Sequence, residues 1–121
     1  MGDPLRLTYG HALRAARRAA NLTQRELAVR AGLDFTYISK LENDRLPPPA
    51  ADTVVLLARL VGMSAEAALA LAGKLASDVE HQVSVSPAAQ EFLREAGEMR
   101  LTEKQWRSLR ETLKGLSGDG R

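Results

Sequence analysis

The stretch QRELAVRAGLDFTYISKLEN, Gln24 to Asn43, constrains the fold more than any other part of the 121-residue chain. It holds two helix starts and one enforced turn. Thr23 and Glu26 have the spacing of a capping box, in which each side chain satisfies a backbone amide of the other. Leu22 can staple onto Leu27 across that start. Gly32 permits the positive φ of a tight turn. Asp34 is a strong N-cap, and Leu33 with Ile38 forms a second staple pair. Two helices this close in sequence can cross steeply only if the residue at the crossing is small. Ala28 stands at that place, and Leu27, Ala31, Ile38 and Leu41 supply the apolar contact.

The rest of the chain reads as further helices. Hydrophobic content is 45%, aromatic content 4%, and Ala and Leu are abundant, which favours helix over strand. A first helix is expected over about residues 9–20, with Thr8 as N-cap and Asn21 as the left-handed residue that ends it. LPPP at 46–49 removes amide donors and acts as a rigid connector. A fourth helix follows over about 51–61, closed by Gly62, and a fifth over about 65–75, capped by Ser64. Residues 76–85 are ambiguous, because QVSVS alternates like a strand but only briefly. Ser86-Pro87 starts a helix with Ala89, Phe92, Ala96 and Met99 on one face. Thr102 and Gln105 form another capping box. Trp106, Leu109, Leu113 and Leu116 then step by 3, 4 and 3 along a seam. The expected organisation is 1–75, a helical extension over 76–116, and a mobile tail over 117–121. No internal repeat is found.

Charge and composition exclude several functions. Residues 1–50 carry eight Lys/Arg against five Asp/Glu, while residues 51–121 carry nine against ten. The basic surplus lies in the N-terminal half, where a polyanion partner and a solvated surface are both compatible with it. There are no cysteines, which excludes disulfides and thiolate metal sites and suits a reducing cytoplasm. No apolar run approaches the roughly 20 residues of a membrane span, and MGDPLRL has no signal-peptide core. His11 and His81 are isolated, so no metal site is expected. No phosphate loop, nucleophile elbow or paired carboxylates call for catalysis or a cofactor, and the chain is expected not to be an enzyme.

Two short helices around a tight turn make the helix-turn-helix arrangement, whose second helix enters the DNA major groove. LRAARRAANLTQRELAVRAGLDFTYISKLENDR, the proline connector and TVVLLARLVGMS resemble the lambda-repressor-like, Cro/Xre-type regulators over about residues 8–75. The resemblance implies an all-α fold: a five-helix DNA-binding domain containing the helix-turn-helix, followed here by a small C-terminal helical hairpin. It implies that Gln24 faces a phosphate and that Phe35, Thr36, Ser39 and Lys40 face base edges. It also implies backbone contacts from Asn43 and Arg45, and an Arg17–Glu42 salt bridge tying helix 1 to helix 3. Ala28 and Gly32 are structural on this reading. Tyr37 has a ring suited to packing beneath the helix and a hydroxyl suited to a phosphate. Phe35 has two competing roles, contact with a thymine methyl or a return into the core.

This chain departs from the family pattern in four places. The base-facing set lacks a Gln or Arg for bidentate reading, Asp34 puts a carboxylate near phosphates, Asp44 replaces a frequent Gly, and Ala50 replaces a capping Ser or Thr. The expected activity is that of a cytoplasmic, nucleoid-associated repressor. It would bind double-stranded DNA at a pseudo-palindromic operator as a homodimer, without a cofactor. Phe92, Met99, Trp106, Leu109 and Leu113 are the candidate dimer or partner residues. They can equally close on one another as a hairpin. The competing function is an antitoxin or adaptor whose C-terminal helices grip a regulatory protein partner.

Overall fold

The computed structural model describes residues 7–119, and among these the chain is helical with no strand. Eight helices follow in order: α1 (Tyr9–Ala19), α2 (Gln24–Ala31), α3 (Phe35–Glu42), α4 (Ala51–Leu60), α5 (Ala65–Ala72), α6 (Ser77–Ser84), α7 (Pro87–Met99) and α8 (Glu103–Asp119). They belong to two compact units that divide between Glu80 and His81, within α6.

The first unit is built around one apolar core. Leu13, Leu27, Ile38, Leu41, Val54 and Leu57 are fully buried, drawn from four helices. Each such side chain contributes about 1.5–3 kcal/mol through removal from water. α2 packs on α3 and α4, α1 on α3 and α5, and α4 on α5. Ala28 is buried within this core, beside Ile38 and Leu41 of α3.

Helix ends in this unit follow one chemistry. Thr8 Oγ1 accepts from His11 N–H at 3.1 Å, and Asp34 Oδ1 accepts from Thr36 N–H at 2.8 Å. The Thr23 box closes in both directions, at 3.0 Å and 2.8 Å. At the C-termini a residue in the left-handed region lets the next amide reach back five residues. Gly32 has φ 68°, and Leu33 N–H donates to Ala28 O at 2.9 Å. Asn21 and Asp44 do the same for α1 and α3, each with φ 58°. α4 starts with no side-chain cap at Ala50.

Two sequence expectations need correction. The fifth helix stops at Ala72, short of residue 75, because Gly73 turns left-handed and Lys74 N–H bonds Leu69 O at 2.9 Å. The ambiguous 76–85 stretch is α6. A lone alternating segment has no neighbouring strand to take its amides, whereas a helix satisfies them internally. Glu80 N–H donates to Ala76 O at 2.9 Å, and Ser77 Oγ donates to Asp52 Oδ1 at 2.7 Å, tying the start of α6 to α4.

The second unit contains α7 and α8, joined through Arg100 in the left-handed region. Ser86 Oγ accepts from Ala89 N–H at 3.1 Å, with Pro87 in the first turn. Thr102 and Gln105 form the reciprocal box at 2.9 Å and 3.1 Å. α8 continues to Asp119, into the segment expected as a tail; residues 120 and 121, like MGDPLR at 1–6, lie outside the described residues.

Candidate nucleic-acid interface

The sequence places a carboxylate in the middle of the core, and the structure shows what holds it there. Glu42, the last residue of α3, is 0% exposed, and Arg17 of α1 is 7% exposed. Arg17 Nε donates to Glu42 Oε2 at 2.6 Å and Nη2 to Oε1 at 2.9 Å, a bidentate pair. Arg17 Nη1 donates to Leu22 O at 2.8 Å, so the same guanidinium also holds the α1–α2 turn. These bonds to the carboxylate raise the Arg17 pKa and hold its guanidinium charged. Gln24 Nε2 donates to Glu42 Oε1 at 3.0 Å, fixing the side chain that opens α2. An amide nitrogen has two hydrogens, so Gln24 keeps a second N–H for another acceptor.

A shallow cleft opens at this end of α2. Arg14, Arg18, Gln24, Arg25 and Phe35 line it. Arg17 also lines it, but Glu42 neutralises that charge. Arg14 Nε lies 3.8 Å from Glu42 Oε1 and has no hydrogen-bond partner among the described residues. The cleft therefore presents a surplus of guanidinium charge beside a helix N-terminus, where backbone dipoles add to the positive potential.

On α3, Thr36 and Lys40 are exposed and Ser39 is half-buried. Asn43 and Arg45 are exposed just beyond the helix, and Asn43 Nδ2 donates to Ser39 O at 2.9 Å. Tyr37 is partly buried against the core. It lies close enough to Tyr9 that, added to burial, it helps push the Tyr9 hydroxyl up to about 12. Phe35 is also half-buried against the core, with Arg25 Cζ 4.3 Å from its ring centroid. Sequence reasoning named Phe35 but not Arg14, Arg18 or Arg25. Their signal was the clustering of arginines at 14, 17 and 18 with another two residues past the Thr23 cap.

Asp44 has a structural role that its departure from the family pattern did not reveal. Its Oδ2 accepts from Thr8 Oγ1 at 3.0 Å and lies 3.2 Å from His11 Nε2. A carboxylate at the start of α1 favours the helix dipole and locks α1 to the end of α3. Gly10 completes this joint, since a Cβ there would overlap the Leu41 carbonyl oxygen and press on Asp44.

In the second unit, Phe92, Ala96, Met99, Leu101 and Leu109 line a cleft of about 340 Å³ between α7 and α8. Closure is partial: Phe92 is 54%, Met99 70% and Leu113 62% exposed, and Trp106 and Leu109 are also exposed. Among the described residues no group of His, Cys, Asp and Glu could hold a metal, and no helix is long and apolar enough to cross a membrane.

Comparison with known proteins agrees with this architecture. A family model described as a helix-turn-helix domain matches residues 8–71. The Bacillus subtilis (strain 168) protein RghRB, an uncharacterized HTH-type transcriptional regulator, is 37% identical over 67 residues. That match covers 55% of this chain and 48% of RghRB, so the chain spans about half the length of this relative. Among solved structures, SinR in complex with DNA, described as the master regulator for biofilm formation, gives a TM-score of 0.48 at 21% identity, over 51% of this chain and 98% of that one. The clp gene regulator ClgR from Corynebacterium glutamicum gives 0.48 at 28% identity, over 76% and 88%. The buried Arg17–Glu42 tie, the Gly32 turn, the exposed face of α3 and the match over more than half of the sequence lead to one conclusion: the chain belongs to the helix-turn-helix domain family.

Proposed function

We propose that this protein is a sequence-specific double-stranded DNA-binding regulator that represses transcription by occupying a pseudo-palindromic operator as a dimer. The observation that carries the reading is the juxtaposition of α3's exposed, polar outer face with an arginine-lined cleft at the start of α2. A solvated helix face alone would not need guanidinium groups gathered beside it. In this reading Thr36, Ser39 and Lys40 meet base edges in the major groove, with Phe35 at the groove entrance. Gln24, held by Glu42, gives its second N–H to a phosphate, and Tyr37, Asn43 and Arg45 flank the backbone. The relationship to an HTH-type transcriptional regulator supports the same reading.

A second copy is the proposed occupant of the α7–α8 face. α7 carries Glu91, Glu95 and Glu98 against Arg94, and α8 carries Lys104, Arg107, Arg110 and Lys114 against Glu103, Glu111 and Asp119, so α7 is acidic and α8 slightly basic. Two copies related by a two-fold axis can set each acidic helix against a basic one while covering Phe92, Met99, Trp106, Leu109 and Leu113. Selection of bound sequences from a random duplex pool tests the whole proposal. A palindromic consensus with two half-sites is expected, and enrichment of no sequence would overturn it. The exposed apolar face favours one competing reading, an antitoxin or adaptor that grips another protein through α7 and α8. Capture of a single partner through that face, with no DNA bound, would establish it.

A further inference from the structure

The exposed face of α3 carries Lys40 but no planar fork of an Arg, Gln or Asn, yet one sits beside it on α2. Arg25, the second residue of α2, is exposed and places its guanidinium over the Phe35 ring, with Cζ 4.3 Å from the centroid. The ion pairs among the described residues leave Arg25 out. Among the described residues its charge therefore has no carboxylate partner. A guanidinium held over an aromatic face keeps its N–H edges free for acceptors, because the attraction runs through the plane of the group.

This geometry bears on Phe35 in turn. One part of its ring packs against the core and another is covered by Arg25. A thymine methyl would have to displace the guanidinium to reach that covered face.

We propose that Arg25 is a DNA-contacting residue of this interface and that Phe35 is the platform that positions it. This rests on the reading of α3 as the recognition helix. The ligand chemistry is a pair of acceptor atoms that a planar fork can engage together. Two phosphate oxygens offer this, and so do O6 and N7 of guanine.

The test measures binding of the full chain to its selected duplex, at several salt concentrations and against single-base variants of that duplex. Arg25→Ala is expected to weaken binding. A phosphate contact predicts a uniform loss over all duplexes and a salt slope smaller by about 1. A guanine contact predicts a loss concentrated at one base pair, of about 5- to 150-fold. Arg25→Lys keeps the charge without the fork and is expected to recover less than the parent affinity. Phe35→Leu keeps apolar volume but removes the aromatic face, and a loss of about 2- to 5-fold is expected. Phe35→Trp should restore affinity, and Phe35→Leu should cost nothing further once Arg25 is alanine. Thermal unfolding of each variant separates loss of fold from loss of contact.

Parent-like affinity, salt slope and base preference in Arg25→Ala would overturn the proposal, provided Lys40→Ala weakens binding in the same assay. An equal loss from Phe35→Leu with and without Arg25 would overturn the platform role and return Phe35 to direct contact. If the parent chain selects no duplex, the reading of α3 falls and this proposal falls with it.

Discussion

Replacing Glu42 with alanine tests the joint on which the interface stands. The carboxylate takes two hydrogen bonds from Arg17 and one from Gln24, and all its partners remain in place after the substitution. Arg17 would keep its bond to Leu22 O alone, as a buried cation with no counter-charge. Hydrogen bonds to charged groups contribute about 1.5–3 kcal/mol each, so the two from Arg17 set a range of about 3–6. Removing one partner of a buried ion pair costs about 3–5 kcal/mol, which agrees. A loss of about 3–4 kcal/mol is therefore expected, or a fall in Tm of about 12 °C or more. Urea unfolding followed by far-UV circular dichroism and tyrosine absorbance reads it, because Tyr9 and Tyr37 both lie in the first unit. Trp106 lies in the second, so its fluorescence serves as an internal control. Arg17→Met combined with Glu42→Leu removes both charges and is expected to recover most of the loss. DNA affinity should not recover with it, because Gln24 has lost its anchor. A single-mutant loss below about 1 kcal/mol would refute the reasoning, as would a double mutant no more stable than the single.

Four further substitutions test the same geometry. Gly10→Ala is expected to cost about 1–3 kcal/mol by chemical denaturation, since the added methyl overlaps the Leu41 carbonyl oxygen, which cannot swing aside, as well as the Asp44 carboxylate. Tyr9 Oη is buried without a partner, so Tyr9→Phe should be neutral or stabilising by about 1 kcal/mol at pH 7; a marked loss would reveal a partner for the hydroxyl. Burial holds the Tyr9 pKa up at about 12, so its contribution is full below the usual tyrosine value and declines as pH rises through 12; alkaline unfolding of Tyr9→Phe should lack that decline. Lys40→Ala should weaken operator binding by about 1–3 kcal/mol with an unchanged Tm, and equal affinity for mutant and parent would remove Lys40 from the reading face. Trp106→Ala should convert a dimer to a monomer in sedimentation, and a parent chain that is already monomeric would refute the two-fold arrangement.

The helix starts and most of the stops of the first unit were legible because each is a local event. Thr8, Thr23, Asp34 and Ser64 bond amides two or three residues ahead, and a glycine or asparagine at the right place closes the helix behind. The core positions followed from periodicity, since Leu13, Leu27, Ile38, Leu41 and Leu57 recur at helical spacing on faces that must be covered. Where the pattern was short it gave less. QVSVS alternates over too few residues to distinguish a strand from a helix, and Ser77–Asp52 links its start to α4 from 25 residues away.

What the sequence by itself determined is the family, the order of helices apart from α6, and the set of residues on the outer face of α3. These depend on contacts within about one helical turn, or on a motif dense enough to admit one arrangement. The tertiary structure alone decided which of the other charges remain available at the proposed interface. The family resemblance already implied Glu42 as the partner of Arg17, but nothing in the sequence assigned a place to Arg25. Packing buries Arg17 against Glu42, where its charge is neutralised, and leaves Arg25 exposed over Phe35. The physical reason is that a side chain's burial and its counter-charge come from elements distant in sequence. The same reason gives Asp44, which departs from the family pattern, its partners on α1.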